Sequence, residues 1–112
     1  MRAGDLDHRL QFQKRHDRSD GAGNTRAEWV AQFDQAANLK PLRGGEGVLG
    51  ARLEGRRPVI IIIRRSTQAA AITHEWRAVD LRDGRVYQIK EPPRLNGDRD
   101  GFEMLSEEGA IK

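Results

Sequence analysis

The chain has 112 residues, 33% of them charged, with a formal net charge of +3, 5% aromatics and no cysteine. That length supports a single domain, 1–112, with a modest core. Without thiols there are no disulfides, thiolate metal sites or cysteine nucleophiles. The charge is spread evenly, with ten basic and eight acidic residues in 1–56 against ten and nine in 57–112, so neither half is a basic tail. Arginines outnumber lysines 16 to four, which suits bidentate pairing with carboxylates or phosphates. No run approaches the roughly 20 apolar residues of a membrane helix, and the charged opening "MRAGDLDHRLQFQ" lacks an apolar signal core, so the chain reads as soluble and unprocessed.

In chain order, "HRLQFQKR" (8–15) alternates Leu10 and Phe12 against Arg9, Gln11 and Gln13, the pattern of a strand with one wet face. "HDRSDGAGNT" (16–25) has no large apolar residue and reads as a long polar turn or flexible arm. In 27–42, Trp29 and Phe33 have helical spacing, but the aromatic content favours a strand, with or without a bulge, that continues to Leu42. Five glycines in 43–56 keep any helix there short and marginal, although Val48, Leu49, Arg52 and Leu53 suit an amphipathic turn or two.

"RRPVIIIIRRS" (56–66) then sets Val59, Ile61 and Ile63 on one face of a strand and Ile60 and Ile62 on the other. Both faces are apolar. One enters the core; the other needs a cover, either the 43–55 segment folded over it or a neighbouring molecule. A loop from 66 leads to a short strand near Trp76–Val79. Asp83-Gly84 marks a hairpin into Val86, Tyr87 and Ile89; Pro92, Pro93 and Asn96-Gly97 break the ladder; and "FEMLSEE" (102–108) is the last strand. The expected fold is mainly all-β: a small antiparallel barrel or sandwich of about six strands, with a Gly-rich loop or short helix before the central strand.

The chemistry-bearing patterns are sparse. "GEGVLG" (45–50) spells G-x-G-x-x-G, but Arg64 and Arg65 stand where a dinucleotide site needs an acidic residue, and no βαβ context surrounds it. His8, His16 and His74 are far apart with no partner at metal-ligand spacing. No serine or threonine sits in a nucleophile elbow, and the carboxylates fall in turns and a polar tail. Neither catalysis nor a cofactor is expected. Residues 43–65 carry Arg43, Arg52, Arg56, Arg57, Arg64 and Arg65 against Glu46 and Glu54, a locally basic stretch able to meet a phosphate backbone without reading sequence, or to pair with acidic groups of adjoining subunits.

The whole order of pieces resembles the phage head-tail joining family, the head-completion or stopper proteins of long-tailed bacteriophages and of gene transfer agents. The matching pieces are Met1–Gln13 ("MRAGDLDHRLQFQ"), the tryptophan strand ending in the Pro41–Glu46 turn ("PLRGGE"), and Gly84–Ile89 ("GRVYQI"). The extra glycines at 47, 50 and 55, and "TQAAAITHEWRAVDL" before the hairpin, depart from that pattern. The resemblance implies a small β-barrel assembled as a ring of six or twelve copies at the neck of a virion or virus-like particle, built in the bacterial cytoplasm. Its neighbours would be the portal-side adaptor and the tail or tail terminator, with packaged double-stranded DNA held non-specifically in the channel and no membrane contact. It implies a subunit interface at Ile60, Ile62, Arg57, Arg64 and Arg65, and a channel or DNA-gating loop at Arg43, Gly44, Gly45, Glu46, Gly47, Arg52 and Arg56. The polar arm 16–25 is a second candidate for ordering against an adjoining ring. The alternative reading is an OB-like, non-specific nucleic-acid-binding domain, which needs exposed aromatic platforms on a basic groove.

Overall fold

The computed structural model describes residues 6–19, 21, 23, 25–42, 44–97 and 99–109. It contains β1 (His8–Ser19), β2 (Thr25–Pro41), α1 (Glu46–Leu53), β3 (Arg57–Arg64), a 3₁₀ turn at Ala69–Ala71, β4 (Trp76–Asp80), β5 (Val86–Ile89), β6 (Arg94–Leu95) and β7 (Gly101–Glu108). The strands form one antiparallel sheet in the order β3-β2-β1-β4-β5-β7-β6, and an additional β3–β7 pairing closes it into a ring. The expected all-β architecture is present; the two-residue β6 is the strand that residue patterns did not suggest.

The isoleucine strand lies at the closure. β7 pairs with β3 from Arg57 to Arg64, and β2 pairs with it from Val59 to Ile63. Period-two alternation therefore decides what each residue meets. Val59, Ile61 and Ile63 point inward and are buried with Leu10, Phe12, Ala37, Ile72, Trp76, Ala78, Tyr87, Ile89 and Met104. Phe33 packs against this core, stacked on Phe12 at 5.1 Å and tilted against Trp76 at 6.3 Å. One polar group inside is satisfied by the backbone: the Ser106 hydroxyl donates to the Val59 carbonyl at 2.8 Å.

Two features differ from the residue pattern. The segment 16–25 is not mainly a turn, because β1 runs to Ser19 and β2 resumes at Thr25, with Arg15 opposite Trp29 and Asp17 opposite Ala27. Mutual pairing satisfies the facing backbone groups of these polar residues and extends the hairpin as an arm. The register slips between Phe12 and Gln13, leaving Gln32 as the extra residue of a bulge in β2. The hairpin signal at Asp83-Gly84 is realised as a loop of residues 81–84 rather than a two-residue turn. Gly84 takes φ +78°, its N–H reaches the Asp80 carbonyl at 2.9 Å, and the Asp80 side chain accepts from the Arg82 amide at 2.8 Å.

Candidate assembly surface

Outside the closed sheet, Ile60 is flanked by Lys40 on β2 and Leu105 on β7, and Ile62 by Asn38 and Glu103. Ile60, Ile62 and Leu105 are half-buried rather than covered. Besides these neighbours on the sheet, α1 also contacts β3, and together they leave the strip half-buried. Arg57 and Arg64 stand exposed at the two ends of β3, with Arg65 following. Arg57 lies 4.0 Å from Glu108, and Arg65 donates to the Arg99 carbonyl at 3.0 Å. Of the five residues expected at a subunit contact, Ile60, Ile62 and Arg64 share the outward parity, while Arg57 and Arg65 have the opposite parity at the two ends of the strand.

The expected gating loop divides. Gly44, Gly45, Gly47 and Arg52 are exposed, and Gly44, Gly45, Val48, Leu49 and Arg52 line an open hollow of about 350 Å³. α1 contacts β3 but leaves Leu49 59% and Leu53 81% exposed, so its leucines do not dock it on the sheet. Arg56 belongs elsewhere. Its guanidinium bridges Glu54 at 2.6 Å and Glu107 at 3.3 Å, and Lys90 approaches the other oxygen of Glu107 at 3.2 Å. That cluster ties the end of the excursion, through Arg56, to β7 of the sheet. Arg43 lies outside the described residues, as does the side chain of Glu46.

A larger open concavity, about 870 Å³, lies between the arm and the body, lined by Arg15, Asp17, Trp29, His74, Gln88 and Lys90 among others. Next to it the Arg77 guanidinium sits 4.4 Å from the Trp29 ring centroid and donates to Gln13 at 2.6 Å. Desolvation lowers the pKa of Arg77 from its usual value. Residue patterning did not reveal this stack, because Trp29 and Arg77 meet only through the shared neighbour β1. The alternation that places Gln13 on the wet face was its single signal.

"GEGVLG" leads into and through α1, between antiparallel strands, which is not the parallel strand–helix setting of a phosphate-binding turn. Among the described residues no group of three His, Asp or Glu side chains is arranged to hold a metal ion. No helix among them is long and apolar enough to cross a membrane.

The model for the phage head completion protein family matches residues 1–109. The chain belongs to that family. Phage head completion proteins are structural components of the virion, associated with other head and tail proteins, and not an enzyme class. Among solved structures, protein SF1141 from Shigella flexneri 2a superposes with a TM-score of 0.68 at 24% identity, covering 100% of both chains. A chain of the native gene transfer agent virion superposes with a TM-score of 0.61 at 20% identity, covering 94% of this chain and 96% of that one. At these identities the two structures speak for the fold. A search of the curated proteins finds no match.

Proposed function

We propose that this head-completion protein works as one subunit of a connector ring between the portal-side adaptor and the tail, with the outer face of β3 as a contact between copies and the 44–53 excursion facing the DNA channel. One observation carries the reading: Ile60 and Ile62 lie half-buried on the outer face of a strand whose inner face already fills the core. A neighbour that completes their burial gains a share of the roughly 1.5–3 kcal/mol that each side chain contributes, repeated at every contact around a ring. Family membership and the exposed arginines at the strip's ends support the same arrangement. The test is Ile60→Ser with Ile62→Ser. The isolated chain keeps its fold, because neither residue belongs to the core cluster, while incorporation into particles falls at least tenfold. Normal incorporation contradicts the proposed contact.

The gating part has its own test. Deleting residues 45–50 leaves a folded subunit, since α1 is not docked by its leucines, but yields particles that lose packaged DNA. Normal retention places the gate outside this excursion.

A further inference from the structure

We propose that the β1–β2 arm is an assembly strand pair: in the ring, the free edge of β2 in one copy pairs with the free edge of β1 in the next, so that neighbouring arms form one continuous antiparallel ribbon. This rests on the ring reading above and names a second contact within it. β4 covers β1 only from Leu10 to Lys14, and β3 covers β2 only from Ala37 to Pro41. Beyond those limits, residues 15–19 pair with 25–29, residues 30–36 pair with the body part of β1, and, among the described residues, neither 15–19 nor 25–36 has a third strand on its outer edge. Each therefore presents an outer edge that no strand of the described residues covers. The body itself is closed apart from the two-residue β6, so the arm holds the long open edges among the described strands.

The occupant that fits is a second copy. The two edges lie on opposite sides of one arm and run antiparallel, so copies placed head to tail about an axis bring β2 beside the next β1 in the hairpin's own orientation. The side chains already match in that register. Within a copy, His16 faces Glu28 and Arg15 faces Trp29, with Lys14 diagonal to Glu28. The same two strands meeting across the interface set Glu28 beside His16 and near Lys14 of the next copy, and Trp29 beside its Arg15.

The absence of cysteine makes the test clean. Full-length chains carrying Asp17→Cys alone and Ala27→Cys alone, both at exposed arm positions, are co-assembled into particles and oxidised. The expected result is a disulfide-linked pair of the two variants at a yield at least fivefold above either variant alone, together with at least tenfold slower amide exchange over 25–29 in particles than in the free chain. If the ring is seen at the neck while cross-linking and exchange stay at the free-chain level, the arm pairing is overturned and the ring stands. If neither ring nor cross-link forms, both readings fall.

Discussion

Asp80 shows how much one side chain can hold in a closed sheet. It is 1% exposed, accepts the Arg82 amide at 2.8 Å, and lies 3.0 Å from His8 Nδ1, which joins the start of β1 to the β4–β5 loop. Burial pushes its carboxyl up, but the bonds from the Arg82 amide and from His8, and the His8 charge, outweigh burial and hold it below the usual carboxylate range. Asp80→Ala leaves the Arg82 amide without its acceptor and is expected to cost about 2–4 kcal/mol, measured by denaturant unfolding at pH 7. A depressed folded pKa stabilises the fold in full above the unfolded Asp value of about 3.9, and that contribution is lost as the pH falls from there through the folded value. The gap between wild type and Asp80→Asn should therefore narrow on going from pH 6 to pH 3; a constant gap refutes the account. Gly109 is a second such point. Its φ is +83°, and a Cβ there would sit 2.6 Å from the Gly55 carbonyl oxygen, so Gly109→Ala forces the 54–55 turn away from the end of β7. A loss of about 1–3 kcal/mol in the same assay is expected.

At the level of elements, α1 and the arm are the two parts not fixed by core burial. Because Leu49 and Leu53 stand in solvent, the double change Leu49→Ser with Leu53→Ser should move unfolding stability by no more than about 0.5 kcal/mol. A loss near 3 kcal/mol would mean that the helix is docked after all. The elements legible in the sequence were those whose register is dictated by burial. Leu10 and Phe12 announced β1, the alternation in 59–63 announced β3, and Val86, Tyr87 and Ile89 announced β5. The strand with a bulge in 27–42 was readable as well, from its aromatic content. The strand pairing of the arm was not, because 16–25 has no large apolar residue to mark a face; its strands exist through mutual backbone pairing, which composition does not encode. β6 is two residues held against Glu103 and Phe102 of β7, too short to leave a periodic trace. Of the candidate site, the outward isoleucines and their flanking arginines were legible from period two alone. The tie of Arg56 to Glu107 was not, since it depends on the pairing of Pro58 with Glu107 across β3 and β7.

The whole molecule is elongated, with principal extents of 49 × 35 × 24 Å. Around the closed sheet the order β1, β4, β5, β7, β3, β2 sets β3 across from β4, so the isoleucine strip occupies one flank of the body while the concavity under Trp29 opens near the arm. A net charge of only +3, spread evenly along the chain, gives the isolated subunit little hold on a phosphate backbone. Its affinity for a short DNA duplex should be weak, with a shallow salt dependence. Tight, steeply salt-dependent binding by the lone chain would instead favour a free nucleic-acid-binding domain. The proposed ring thus rests on protein surfaces rather than on DNA binding by the lone subunit.

The most direct measurement is a side-chain-resolution reconstruction of the neck of particles that carry this protein. The account predicts a ring in which Ile60 and Ile62 of each copy are sealed against the next. A neck in which both isoleucines face solvent, or touch only their own chain, would contradict it.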